Sequence, residues 1–281
     1  MIEIIPLGPQ DLTEAGIVLE TAFGRRGMAD SLQKTYELQP GYWFCARRMG
    51  QIIATVGAYG YRQSASIGMM SVHPQFQHQG LGRQLIDHLV HHLSLAGYPA
   101  LFLEASPPGQ RLYPKLGFWP GGDTLRMVQH TLVNVRFPAQ GAVCRMAASD
   151  LPEVIAYDGC VFGVERPLIM QTFFERYPGR AFIARDGSQA LTGYLFASGM
   201  TLGPWSAGSP AMAELLLQAA LTLPRSGEPR VTFPAENRAG RALLSRYGFV
   251  EAEGLLHMRL GSAPDPRQRT RYYGQASLML G

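Results

Sequence analysis

The sequence contains one long pattern twice, and this repeat is the strongest constraint on how the chain can fold. The motif D-L-x-E-x8-F-G spans residues 11–24 and returns at residues 150–163, an offset of 139 residues. Recurrence at a long fixed spacing is typical of a duplicated structural unit. A single match carries little weight, so its meaning depends on whether further matches follow in the same order.

Three further matches do follow in order. Residues 41–47 and 179–185 share G-x-x-F-x-A-R, residues 116–118 and 247–249 share G-F, and residues 125–127 and 256–258 share L-x-M. The offset drifts to 131 residues by the last two matches, as expected when one copy has lost a few residues. The repeat predicts two tandem domains, residues 1–137 and 138–281. Residues 137–141, with Pro and Gly, form the predicted linker.

Each copy has the local pattern of alternating strands and helices. After Asp11, apolar residues fall at helical spacing, and the leucines that begin at Leu81 do the same. Residues 43–47 and 52–58 are typical of paired strands, and residues 67–72 and 100–103 of further strands. This order predicts the α/β class, with a mixed sheet of the α+β kind and helices packed on it in each half.

The segment at residues 77–83, Q-H-Q-G-L-G-R, lies between a predicted strand and a predicted helix. Glycines at a helix start let backbone N–H groups approach a phosphate, and Arg83 could add a charged contact. A P-loop requires Lys after Gly82, and a dinucleotide fingerprint requires Gly where Leu85 stands, so both motifs are absent. The glycines by themselves would also suit an ordinary strand-to-helix turn.

The surrounding residues resemble the GCN5-related N-acetyltransferase (GNAT) family. Its coenzyme motif, [RQ]-x-x-G-x-[GA] after Val-x-Pro, matches residues 72–82, and its Tyr-containing Gly-Phe signature matches residues 113–118. Residues 103–109 look like those of tandem members. The resemblance implies that acetyl-CoA is the co-substrate. It implies coenzyme contacts from Met70, Ser71, Val72, Gln77, His78, Gln79, Gly80, Leu81, Gly82, Arg83 and Ser106.

The same resemblance implies roles for individual residues. The backbone N–H of Val72 would face the thioester carbonyl, and Tyr113 would protonate the departing thiolate. Glu104 is the candidate general base, acting through water, although it could instead cap the next turn. His73 is a weaker alternative base with a suitable ordinary pKa. The expected reaction is direct attack of a primary amine, from a small molecule or a peptide, on the bound thioester.

The second copy lacks these features. Residues 202–208 do not have the phosphate-loop spacing, and Leu244 stands where the repeat would place Tyr113. The second domain is therefore expected to be degenerate, to bind no coenzyme, and to contribute to the acceptor pocket or to packing. Acceptor recognition is also expected from residues 24–40, with Trp43, Tyr59, Tyr61 and Trp119 as either pocket or core aromatics.

Charge, cysteine spacing and histidine spacing argue against several other classes of function. The net charge of +4 is mild, and the densest basic stretch, residues 267–273, is more typical of a solvated loop than of a nucleic-acid interface. Three scattered cysteines predict neither a disulfide framework nor a zinc site. His88 and His92 lie one helical turn apart but without a metalloprotease Glu, so no metal is expected.

The first residues lack a basic region followed by an apolar run, and no apolar stretch reaches about 18 residues. We therefore expect no signal peptide, no membrane association and a cytoplasmic location. The expected oligomeric state is a monomer or a homodimer. The main rival to an N-acetyltransferase is a non-catalytic module that binds acyl-CoA as a sensor or scaffold.

Overall fold

The computed structural model describes residues 1–131, 133, 135–138, 141–225, 227–262 and 265–281. The chain forms two compact units, Met1–Pro120 with Met258–Ala263 and Gly121–His257 with Pro264–Gly281. Two residues of the predicted linker, at positions 139 and 140, lie outside the described residues. The domain boundary after residue 137 stays a prediction.

The first unit alternates helices and strands in the order expected from the sequence. Its elements are β1 (Ile2–Pro6), α1 (Leu12–Phe23), α2 (Met28–Tyr36), β2 (Trp43–Arg48), β3 (Gln51–Gly60), β4 (Ser64–Val72), α3 (Leu81–Leu95), β5 (Ala100–Ala105), α4 (Gly109–Leu112) and the start of β6 (Trp119–Gln129). The expected strands at 43–47, 52–58, 67–72 and 100–103 and the helices after Asp11 and Gly80 are confirmed.

The sheet of the first unit runs β1-β2-β3-β4-β5 and ends with the last residues of β12 (Phe249–Leu260). Trp43 pairs with Gly57 and contacts Tyr36 of α2, whereas Val72 pairs with Ala54 and lies against the start of α3. Because side chains alternate along a strand, Gly57 and Ala54 lie on opposite faces of β3. Helices α2 and α3 therefore cover opposite faces of the sheet. Buried leucines of α3 fill one side of the core.

The second unit repeats the same succession of elements. They are the rest of β6, β7 (Val143–Arg145), α5 (Leu151–Phe162), α6 (Pro167–Arg176), β8 (Ala181–Arg185), β9 (Leu191–Ser198), β10 (Thr201–Ala207), α7 (Pro210–Leu221), β11 (Arg230–Pro234), α8 (Arg238–Arg246), most of β12, and β13 (Tyr272–Gly274). Its sheet runs β12-β6-β11-β10-β9-β8-β7, and β13 pairs with β10. Together the two units confirm the mixed α/β class.

The repeated motif has the same structural basis in both units. Asp11 accepts a hydrogen bond from the N–H of Gly8 at 2.9 Å and forms an ion pair with Arg47 at 2.6 Å. Asp150 accepts from the N–H of Ala147 at 2.8 Å and pairs with Arg185 at 3.1 Å. In each case the arginine joins a strand to the start of a helix, which explains why Asp and Arg recur together.

Candidate active site

The main feature of the first unit is a gap between β4 and β5. The two strands pair in parallel only from Ser64–Ile67 against Ala100–Leu103. Beyond that point β4 continues to Val72 and pairs with β3 alone. The backbone of β4 at residues 68–72 therefore has an edge without a neighbouring strand in the described part of this unit, and an unpaired strand edge can bind an extended ligand.

A β-bulge in β4 accounts for the divergence. Thr55 pairs with Ser71 and Gly57 with Gly68, so Val56 alone lies opposite both Met69 and Met70. Met69 has a positive φ of 52°, and its carbonyl accepts a hydrogen bond from the hydroxyl of Thr55 at 3.1 Å. Bulges increase the local twist and bend the strand. This bulge turns the end of β4 away from β5.

The loop after β4 is held by hydrogen bonds to strand ends. The N–H of His73 donates to the carbonyl of Ile53 at 2.8 Å, and the side-chain amide of Gln77 donates to the carbonyl of Val72 at 2.9 Å. His78 has a positive φ of 61° and is exposed, as is Gln79. Gln77 was expected to contact the coenzyme, and its observed contact is with the end of β4.

The two glycines of the motif have different structural reasons. Gly80 is the N-cap residue of α3 with φ 79°, a left-handed conformation, and a Cβ there would meet no atom within 4 Å. Gly82 lies inside the helix, where a Cβ would stand 3.0 Å from the methyl of Met70 and 3.6 Å from a methyl of Leu112. Gly80 therefore supplies the turn, and Gly82 lets the helix start pack on β4 and α4.

The start of α3 presents backbone donors beside the open edge of β4. The first helical hydrogen bond runs from the N–H of Gln84 to the carbonyl of Gly80, and no side chain caps this end. The N–H groups of residues 81–83 therefore have no intrahelical acceptor, and the helix dipole adds positive potential there. Arg83 is exposed and lies 3.5 Å from Asp87. These features suit a phosphate group.

Tyr113 follows α4 directly and is buried, with 7% of its surface exposed. Its ring packs against Phe118 at a centroid distance of 5.7 Å and over Gly109, where a Cβ would come within 2.7 Å of the ring. Burial raises the pKa of Tyr113 to about 12. The phenol is therefore protonated at neutral pH, as a proton donor must be.

Glu104 and Ser106 lie on the other side of the gap. Glu104 is the first residue of β5 beyond the paired stretch and is half-buried. The carbonyl of Ser106 accepts from the N–H of Gln110 at 3.0 Å, which places Ser106 at the turn into α4. The Nδ1 of His73, the alternative base, accepts the N–H of Gln75 at 3.4 Å. No described side chain caps the start of α4, and the role of Glu104 as the base stays a prediction.

Sequence reasoning missed two residues of this site. The hydroxyl of Thr55 supports the bulge, and Leu112 contacts the position of Gly82. Neither belongs to a recognisable motif, because their roles depend on strand register and on the packing of α4. The hydroxyl of Ser71 is buried and has no hydrogen-bond partner in the structure as described.

The aromatic residues considered for the acceptor pocket lie elsewhere in the first unit. Trp43 is buried beneath Gly57 and belongs to the core. Tyr59 contacts Tyr61 near the start of β4, at the end away from the gap. Trp119 is partly exposed and stacks on the guanidinium of Arg259 at 3.6 Å. These positions favour the core alternative for Trp43.

Two histidines of α3, His88 and His92, pack against aromatic rings. Phe44 contacts His88 at 4.7 Å and His92 at 5.1 Å, and burial followed by the nearby His92 and His91 lowers the pKa of His88. Among the described residues, no group of three or more His, Cys, Asp or Glu side chains could hold a metal ion.

The described helices are all too short or too polar to cross a lipid bilayer.

Comparisons with known proteins agree with this architecture. A model of the acetyltransferase (GNAT) family matches residues 16–118, and an acetyltransferase (GNAT) domain model matches residues 154–274. An uncharacterized N-acetyltransferase of Bacillus subtilis, YitH, is 24% identical over 80% of this chain and 81% of its own length. Holothin acyltransferase of a Pseudoalteromonas species is 24% identical over 97% of this chain and 93% of its own length.

Solved structures share the fold. A Pyrococcus horikoshii protein described as an acetyltransferase superposes with a TM-score of 0.85 at 22% identity, covering 100% of this chain and 96% of its own. A tandem GNAT protein from the clavulanic acid biosynthesis pathway gives 0.68 at 15% identity, covering 94% and 99%. The repeat, the open edge of β4 and both family matches have one explanation: the chain belongs to the GNAT family of acyltransferases and carries two GNAT domains in tandem.

Proposed function

We propose that the first unit transfers an acetyl group from acetyl-CoA to a primary amine of a small molecule or peptide, by direct attack in a ternary complex. The observation that carries this proposal is the open edge of β4 beside the uncapped start of α3. An extended pantetheine arm could pair with the strand edge while the pyrophosphate binds the helix N–H groups. Of the residues expected from the family resemblance, Met70 to Val72 lie on β4 and Gly80 to Arg83 lie at the start of α3.

Tyr113 is proposed as the acid that protonates the departing thiolate. It follows α4, whose Leu112 packs at the position of Gly82, so the phenol and the helix start belong to one packed region. A free thiol has an ordinary pKa of about 8.5, below the value of about 12 for Tyr113. The thiolate released in the same cleft is also desolvated, which raises its own pKa towards that of the phenol.

Glu104 is proposed as the base that accepts the amine proton, through water. Its place one residue beyond the paired part of β5 puts it at the mouth of the gap. A carboxylate there can lower the cost of deprotonating an ammonium acceptor before attack. Backbone N–H groups on the edge of β4, that of Val72 among them, would stabilise the tetrahedral oxyanion.

Assays with panels of amines and acyl-CoAs would identify the acceptor and the preferred length of the acyl chain. One curated relative bears the name holothin acyltransferase, so the acceptor panel includes holothin beside simple amines and peptides, and the donor panel includes longer acyl-CoAs. We also propose a cytoplasmic location, where acetyl-CoA is supplied, and a monomer or homodimer without nucleic-acid partners.

The test measures free thiol released from acetyl-CoA in the presence of each amine, for the native protein and two variants. Tyr113→Phe should lower kcat by about 100-fold with little change in the dissociation constant of acetyl-CoA. Tyr98→Phe is the matched control, because the Tyr98 phenol also has a pKa of about 12. Tyr98 precedes β5, and its hydroxyl donates to the hydroxyl of Tyr42. Tight acetyl-CoA binding without transfer to any amine would instead favour the sensor or scaffold.

A further inference from the structure

The second unit contains a counterpart of the β4–β5 gap. Strand β10 pairs in parallel with β11 only at Thr201 and Arg230, although β10 continues to Ala207. In the first unit the corresponding stretch of β4 has an open edge. In the second unit β13 pairs antiparallel with β10, with Trp205 opposite Gly274 and Ser206 opposite Tyr272. The gap therefore contains a strand of the protein itself.

The same segment is bound to the other wall of the gap. The N–H of Gln275 donates to the carbonyl of Thr232 in β11 at 2.7 Å. The side-chain amide of Asn237, which caps α8, donates to the carbonyl of Tyr272 at 3.1 Å. Residues 272–275 thus hydrogen-bond to β10 on one side and to β11 and its following turn on the other.

Two glycines allow the close backbone approach. A Cβ at Gly203 would overlap the carbonyl of Gln275, and a Cβ at Gly274 would overlap the carbonyl of Leu202. Backbone carbonyls cannot move aside as a flexible side chain can. Glycine at both positions is therefore required for the segment to lie in the gap.

A buried arginine holds the rest of the segment. The guanidinium of Arg166 donates to the carbonyls of Leu280 and Gly281 at 2.6 and 3.0 Å and to the hydroxyl of Tyr272 at 2.9 Å. The Nε of Arg166 also forms an ion pair with Oδ2 of Asp158 at 2.8 Å, and both side chains are fully buried. A buried ion pair is costly unless its hydrogen bonds are satisfied. Here the segment supplies three acceptors, so its removal would leave Arg166 underbonded.

We infer that residues 272–281, here named the closing segment, act as a built-in occupant of the second gap and exclude a coenzyme from it. The segment makes with β10 the strand-edge contacts that the first unit leaves available on β4. It is nearly inaccessible to solvent, since Tyr272, Tyr273, Gln275, Met279 and Leu280 are each at most 3% exposed. The second unit is therefore closed by its own chain, whether or not the first unit is catalytic.

Hydrogen exchange of the full-length protein tests the inference without coenzyme. The amides of residues 272–276 should exchange as slowly as those of β10 and β11. Gly274→Ala should speed exchange in residues 272–281 and 201–207 by at least about tenfold. Gly254→Ala is the matched control, since Gly254 is an exposed strand glycine of the same unit with no atom within 4 Å of a Cβ. Fast exchange of the native segment while β10 stays protected would overturn the inference.

Calorimetric titration with acetyl-CoA supplies the second measurement, which stands even if Gly274→Ala does not fold. One coenzyme bound per chain is expected. Two per chain would overturn the closing role of residues 272–281. No binding at all would contradict the proposed function of the first unit, and hydrogen exchange would then decide on the closing segment alone.

Discussion

The side-chain amide of Gln77 donates a hydrogen bond to the carbonyl oxygen of Val72 over 2.9 Å. This bond closes the loop between the end of β4, which carries the open strand edge, and the start of α3 beside it. The glutamine of the family motif is thus bound to the protein's own backbone. It can hold the loop in the conformation that aims the N–H groups of α3 at a phosphate.

Replacing this glutamine should weaken coenzyme binding more than folding. Gln77→Ala removes one exposed hydrogen bond, so the free energy of unfolding should fall by less than about 1 kcal/mol. The dissociation constant of acetyl-CoA should rise by about three- to tenfold, because the loop loses its fixed conformation. Gln171→Ala, which loses an exposed bond to Glu175 in the second unit, is the control for titration calorimetry. Equal affinities for both variants would contradict this role.

The N-cap glycine of α3 allows the effect of a substitution on stability to be separated from its effect on coenzyme binding. Gly80 and Gly97 have φ values of 79° and 85°, flank the same helix, and would each place a Cβ in open space. An alanine at either position should cost about 1 to 2 kcal/mol, since both conformations are left-handed. Gly80→Ala should also weaken acetyl-CoA binding, because its Cβ would occupy open space beside the helix N–H groups proposed to bind the phosphate. Denaturant titration and calorimetry check the pair, and a similar affinity loss in Gly97→Ala would argue against a phosphate site at Gly80.

The raised pKa of Tyr113 predicts the pH dependence of turnover. Burial raises this pKa to about 12, so the phenol keeps its proton, and its capacity as an acid, throughout pH 7 to about 10. Between those limits kcat should not decline through loss of the Tyr113 proton. Steady-state assays with saturating amine across this range provide the check. A decline in kcat to about half by pH 10, the ordinary pKa of a tyrosine, that disappears in Tyr113→Phe would show that burial does not protect the phenol.

The Asp11–Arg47 ion pair should contribute to the stability of the first unit. Asp11 is nearly buried and also accepts the N–H of Gly8, so Arg47→Ala leaves a carboxylate without its cation. We expect a loss of about 2 kcal/mol in the free energy of unfolding. Lys34→Ala breaks an exposed pair with Asp30 and should cost less than about 1 kcal/mol. Urea denaturation compares the two, and equal losses would show that the buried Asp11 needs no partner.

Much of the architecture could be predicted from local patterns. The positions of α1 and α3 follow from apolar spacing, and both end or begin at glycines whose left-handed φ values no other residue adopts easily. The duplicated Asp and Arg positions also have a local cause, because each pair joins a helix start to the strand that follows it. These features need only a few neighbouring residues.

The form of the site could not be predicted in this way. Nothing in residues 64–72 marks Met69 and Met70 as a bulge, because the extra residue exists only relative to the register with β3. Gln77 carries a recognisable motif, yet its bond to Val72 depends on the path of the intervening loop. The assignment of Trp43 to the core depends on Gly57 in the next strand.

By itself the sequence determined the tandem repeat, the mixed α/β class and the strand–glycine–helix segment, since each depends on side-chain period or on glycine conformations within a short stretch. Tertiary structure alone decided which strand edge stays open. Gly274 pairs with Trp205 and Arg166 holds Leu280, contacts between residues far apart in the chain that no local pattern encodes. Hydrogen bonds between distant residues therefore close the second gap, whereas the first has no such strand in the described part of its unit.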